Sequence, residues 1–133
     1  MIALLHPVIR ATALSKLWQA PTTYVKLYRN RIQIHVPGRE RPIEKYSDFS
    51  HPRMLLGEFE QAAIALRAAL HEAYPRRLGR PALIIHPMEL TDGGLSATEQ
   101  YLLQQLSRSA GARRSHVWIG PELSTEEVSD FVF

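Results

Sequence analysis

"PTTYVKLYRNRIQIHVPGRERP", residues 21–42, decides the fold. Residues 23–28 and 31–36 alternate, and Tyr24, Val25, Leu27, Tyr28, Ile32, Ile34 and Val36 are all good strand formers. Arg29-Asn30 between them reads as a tight turn, because Asn tolerates a positive φ. Pro37-Gly38 is a second turn, and "RPIEKY", residues 41–46, is a short third strand whose proline and charges suit a sheet edge. The stretch therefore predicts three strands in a meander.

Downstream of it the period changes. In "SDFSHPRMLLGEFEQAAIALRAALHEAYPRR", residues 47–77, Ser50 is a natural N-cap with Pro52 in the first turn. Leu55, Phe59, Ala62, Ala63, Leu66 and Leu70 then recur at helical spacing, and Pro75 stops the helix just after Tyr74. Gly57 inside it costs about 1 kcal/mol against Ala unless something packs close there. Met54, Leu55, Leu56 and Phe59 read as core. "PALIIHPM", residues 81–88, is a continuous apolar run of strand length and predicts a buried central strand. "SATEQYLLQQLSRSAG" carries a capping box from Ser96 to Glu99 and a glycine stop at Gly111. "SHVWIG", residues 115–120, predicts another buried strand with Trp118 in the core, and Ser124 to Glu127 is a second capping box. The order is β-β-β-α-β-α-β: a mixed α/β (α+β) sheet of five strands, the last two running parallel to the first.

The first twenty residues, "MIALLHPVIRATALSKLWQA", are apolar and basic, and they lack the basic n-region of a secretory signal. A helix from Val8 onward would put Ala11, Leu14 and Trp18 on one face, with Arg10 and Lys16 outside it. That pattern fits an interfacial anchor on anionic lipid, and equally an arm packed on the domain or on a second subunit. Residues 1–20 are thus expected as an N-terminal arm and residues 21–133 as a single domain.

The 133 residues suit one domain with a modest core. There is no cysteine, which excludes disulfides, thiolate metal sites and a cysteine nucleophile and is compatible with the cytoplasm. Net charge is +3 but unevenly spread: no acidic residue precedes Glu40, while Arg76, Arg77 and Arg80 form a second basic group and Arg108, Arg113 and Arg114 a third. Such asymmetry marks either a surface for phosphate, anionic lipid or nucleic acid, or a solvated face. The six histidines show no HxH or HExxH spacing. His86, Glu89 and Asp92 could gather at the carboxyl end of a buried strand as a metal site, or His86 could simply cap the strand by hydrogen bonding.

The element order resembles the ribonuclease-H-like half domain of actin-like ATPases. "LSATEQYLLQQLSRSAGARRSHVWIGPEL", residues 95–123, is similar to the second helix and fifth strand of the bacterial actin family MreB, with Thr98-Glu99 at the helix start and Ala110-Gly111-Ala112-Arg113 at the turn. "FSHPRMLLGEFEQA" and "IIHPMELTDGGLSATE" resemble the short MreB-like, rod-shape-determining proteins of proteobacteria. The resemblance runs from about Thr22 to Leu123. It implies a nucleotide site whose first hairpin carries an Asp for metal and a Gly for close approach to phosphate. Between Pro21 and Pro37 this sequence has neither, and no second half domain follows the fifth strand.

The expectation is a non-catalytic, MreB-related protein-interaction module linked to cell shape, with no metal and no nucleotide or other cofactor. Arg29, Asn30 and Arg31 are its candidate anion contacts. Leu14, Trp18, Phe131, Val132 and Phe133 are its candidate interaction residues, for a homodimer or another protein partner. The location implied is cytoplasmic, with peripheral contact to the inner membrane through the arm. The alternative is a basic nucleic-acid-binding module of ribonuclease-H-like fold.

Overall fold

Tyr24, Val25 and Leu27 on one side of Asn30, and Ile32 and Ile34 on the other, form the antiparallel hairpin their alternation predicts. In the computed structural model, which describes residues 21–75, 80–89 and 93–133, β1 (Thr23–Tyr28) pairs with β2 (Arg31–His35) in the register Tyr24↔His35 to Tyr28↔Arg31. Asn30 takes φ 54° at the turn. β3 (Ile43–Tyr46) pairs antiparallel with β2 and forms one sheet edge. α1 (Phe59–Ala73) leads to β4 (Ala82–Pro87), which runs parallel to β1, and α2 (Ala97–Ser109) leads to β5 (Arg114–Val117), parallel to β4. α3 (Thr125–Ser129) follows. The sheet is mixed and five-stranded, in the order β3-β2-β1-β4-β5.

Period-2 alternation divides the strand side chains between two faces. On the inner face Val25, Leu27, Ile32, Ile34, Leu83 and Ile85 are buried against Ala62, Leu66, Ala69 and Leu70 of α1 and Leu103 and Leu106 of α2. On the outer face Tyr24 and Ile84 pack with Val128 of α3, and Trp118, Leu123 and Phe131 close around them. β4 is buried along its whole length because helices cover one side of it and the C-terminal segment the other. Both predicted capping boxes form: Glu99 N–H donates to Ser96 Oγ and Glu127 N–H to Ser124 Oγ, each at 3.1 Å.

Two expectations are corrected. α1 begins at Phe59, not at Ser50. The Ser50 N–H donates to Asn30 Oδ1 at 2.7 Å and its hydroxyl to the Leu55 carbonyl, so Ser50 is consumed by a loop and cannot cap a helix. That loop is closed by His51–Met54 backbone bonds, and by the Gly57 and Glu58 N–H groups, which both donate to the Phe49 carbonyl above the fully buried Phe49 ring. Gly57 therefore lies outside the helix. A Cβ there would stand 2.4 Å from Cγ of His51, which explains the glycine. The second correction is β5. Among the described residues it is the outer strand of the sheet, with Arg114 and His116 exposed, because only β4 of the described strands pairs with it. Trp118 is accordingly half-buried, not central. Leu55 and Leu56 are core as expected, while Met54 is at the surface.

Candidate functional site

The β1–β2 turn holds the three residues read as anion contacts, and all three have partners within the chain. The Arg29 N–H donates to the Glu89 carboxylate at 2.6 Å. The Arg29 guanidinium reaches the carbonyls of His51 and Pro52 at 3.3 and 3.4 Å. The Asn30 N–H donates to Ser50 Oγ at 3.0 Å. Arg31 pairs with Glu44 at 2.9 Å and lies 3.9 Å from the Tyr28 ring centroid. A carboxylate of the chain itself thus sits on one of the turn's backbone donors, the kind of group that binds phosphate. Its negative charge opposes a second anion at that position.

A second cluster lies on the outer face. Tyr24, Lys26 and His86 are buried polar side chains of adjacent strands, with Lys26 only 6% exposed. The Tyr24 hydroxyl is 2.5 Å from His86 Nδ1 and accepts from the Leu123 N–H at 3.1 Å. The direction of the Tyr24–His86 bond follows the tautomer of His86: the hydroxyl donates to a bare Nδ1 and accepts from a protonated one. Lys26 pairs with Glu122 at 2.8 Å. The segment around residues 120–123 is therefore strapped across β1 and β4. Burial pushes the His86 imidazole below its usual range and the Lys26 charge adds to it, while a hydrogen bond to the Gly120 backbone acts in the opposite sense. His35, whose ring centroid is 5.8 Å from that of Tyr24, is lowered for the same reasons, burial first and Lys26 second. The hydrogen bond from Lys26 holds the Glu122 carboxyl below the usual carboxylate range. No described side-chain polar atom is buried without a partner. The cluster anchors the strap and leaves no free nucleophile.

His86 and Glu89, read as two members of a candidate metal site, do separate work: the His86 ring is held by Tyr24 and the Glu89 carboxylate by Arg29. Asp92, the third, lies outside the described residues, as do Leu14 and Trp18 and the whole arm of residues 1–20. Among the described residues no helix is long and apolar enough to cross a membrane.

The C-terminal aromatics divide. Phe131 docks on the domain, 5.2 Å from the His116 ring and edge-on to Trp118 at 6.2 Å. Phe133 meets Phe131 edge-on at 5.0 Å and stays partly exposed, and Val132 is 88% exposed. Ile119, just past β5, is 46% exposed. Phe131 thus carries this segment against side chains of β5 and its end, and no described strand covers the outer edge of β5. The sequence signalled Phe131 to Phe133. It gave no signal for Ile119, which matters only because β5 is an edge. Gly120 permits the tight return here: a Cβ would come within 3.1 Å of the Trp118 ring, whose Nε1 donates to the Pro121 carbonyl at 2.8 Å.

No family model and no solved structure matches the chain. It is similar to Uncharacterized protein YjaA of Escherichia coli (strain K12), 24% identical over 94 residues that cover 65% of this chain and 74% of that protein. That name states no activity and carries none to this chain.

Proposed function

We propose that this chain is a non-catalytic protein-interaction module of ribonuclease-H-like, MreB-related layout, with no working nucleotide site, and that it pairs with a second copy of itself. The strand order β3-β2-β1-β4-β5, with β1, β4 and β5 parallel, supports the layout. Glu89 on the Arg29 N–H supports the loss of phosphate binding at the first hairpin. The observation that carries the interaction reading is the edge of β5, which no described strand covers, together with exposed Ile119 just past it and exposed Val132 and Phe133 in the segment docked through Phe131. An uncovered strand edge is a template for pairing, and two copies joined there would form a closed two-fold dimer. Such an interface should bury about 1,000 Å² or more.

Light scattering across micromolar concentrations tests this. The wild type should reach the mass of a dimer, and Ile119→Asp should shift it to monomer with an unchanged circular dichroism spectrum. Calorimetry with millimolar Mg-ATP should show no saturable heat. A wild-type monomer throughout, or micromolar ATP binding, would overturn the corresponding half of the proposal.

A further inference from the structure

The outer face of the sheet buries charge where the C-terminal segment crosses it. The registers Tyr24↔His35 and Lys26↔His86 set Tyr24 and Lys26 of β1 beside His35 of β2 and His86 of β4. Lys26 and His86 are buried, and His35 is half-buried with its Nε2 2.9 Å from Gln33 Oε1. Residues 120–123 lie across this group. The Leu123 N–H donates to the Tyr24 hydroxyl at 3.1 Å, and Glu122 meets Lys26 at 2.8 Å. Only a small apolar patch backs these bonds: Trp118, Leu123, Val128 and Phe131 around Tyr24 and Ile84. The larger core lies on the opposite face, under α1 and α2. The segment can therefore part from the sheet as a unit without opening that core.

Lys26 and Glu122 balance each other, so with both imidazoles neutral the group carries no net charge. A proton on either histidine adds an uncompensated cation beside Lys26, in a site withdrawn from water. Neighbouring carboxylates are already engaged: Glu44 of β3 holds Arg31 at 2.9 Å, and Glu127 of α3 holds the Ser124 N–H at 2.9 Å. His116 of β5 faces Phe131 but is exposed, so water solvates its charge. With both ring nitrogens of His86 protonated, Nδ1–H and the Leu123 N–H both donate to the Tyr24 hydroxyl, whose own hydrogen then has no acceptor among the described residues. We propose that the segment from Gly120 to Phe133 is a pH-gated strap, closed while His86 and His35 are neutral and lifted once they are charged, which bares Tyr24 and Ile84 while the inner core stays folded. Burial, the largest cause, lowers the proton affinity of both histidines in the closed form. Lys26 acts in the same sense, while the Gly120 backbone on His86 and Glu122 on both act against it. Lifting the strap wets both rings and returns them to the ordinary value of about 6.5. Closure is therefore complete above that value and weakens as pH falls through the lowered values of the closed form. Glu122, held below the usual carboxylate range by its hydrogen bond from Lys26, stays charged through this window. The inference does not depend on pairing at β5.

The test is amide exchange of the full chain at pH 7.5 and pH 5, at one dilute protein concentration, corrected for the intrinsic effect of pH on exchange. The Leu123 N–H reports on the strap, and the amides shared by β1 and β2 report on the core. Protection of Leu123 should fall at least about tenfold on acidification, each histidine kept neutral in the closed form at pH 5 contributing up to about thirtyfold. The β1 and β2 amides should stay at least about tenfold better protected than Leu123 at both pH values. His35→Gln and His86→Gln should each reduce the fall, the double variant should abolish it, and His116→Gln should leave it unchanged. Glu122→Gln, at an exposed position, should speed Leu123 exchange about fivefold already at pH 7.5, because Lys26 loses its partner. His35→Gln and Glu122→Gln carry the same test if His86→Gln does not fold. Equal protection of Leu123 at the two pH values, exchange of Leu123 and the core amides together, or a full acid response in the double variant would each overturn the proposal.

Discussion

Asn30 is the residue on which the first hairpin depends. It holds a positive φ that a side chain with a Cβ adopts at a cost, and its side-chain carbonyl accepts from the Ser50 N–H. Asn30→Ala should destabilise the protein by about 1–3 kcal/mol, and Asn30→Gly by less, because glycine keeps the backbone but loses the side-chain bond. Urea denaturation of the three proteins gives the order directly. The turn itself was legible from the Arg-Asn pair. Its closure by Ser50 and Glu89 was not, since each lies at least twenty residues away and no local pattern encodes the pairing. The histidines make a second prediction at this scale. Folding lowers the pKa of both His86 and His35, so the folded state favours their neutral forms. Their contribution is complete above the ordinary histidine value of about 6.5 and is lost as pH falls through the lowered folded values. Stability measured by urea should therefore drop between pH 7.5 and pH 5, and His86→Gln together with His35→Gln should flatten the drop. An unchanged slope in that double variant would remove the histidines as its cause.

Among the elements, the start of α1 shows how a tertiary contact overrides a local signal. Ser50 followed by Pro52 is a sound N-terminal signal by residue type, yet the hydroxyl serves the loop and the helix begins at Phe59, with Glu58 at the N-cap position making no side-chain cap bond. Ser96 and Ser124 succeed as caps because each finds its Glu three residues on, a contact that sequence spacing does encode. Gly57 reports on the same loop. Gly57→Ala would force the His51 ring aside and break its 2.7 Å contact with Glu58, with an expected loss of about 1–3 kcal/mol. Thermal melts should show His51→Ala recovering part of that loss, since it removes the ring that blocks the new methyl group. No recovery would place the glycine's role in its backbone alone. The inner faces of β1 and β2 and the apolar stripe of α1 were legible because burial on one side imposes the period that was read, and β4 was legible from the continuous apolar run that burial on both sides imposes.

Over the whole molecule the decisive fact is which strand ends the sheet. "SHVWIG" reads as buried because Val117, Trp118 and Ile119 are apolar, but burial depends on neighbours, and among the described strands β5 has one neighbour, not two. The same limit hid the cluster under the strap: Tyr24, His35 and His86 share a place in space through strand register and not through sequence. The C-terminal segment illustrates both outcomes, with Phe131 docked on His116 and Trp118 while Val132 faces outward. If two copies pair edge to edge, the backbone of β5 must change its partners. The Trp118 N–H points to the Ile85 carbonyl of β4, so by alternation the Val117 N–H points away from the sheet. Amide hydrogen exchange of Val117 at low and high protein concentration tests the pairing most directly. Pairing at β5 predicts slow exchange above the dimerisation concentration, fast exchange below it, and fast exchange at both in Ile119→Asp. A Val117 amide that exchanges equally fast at every concentration would contradict it.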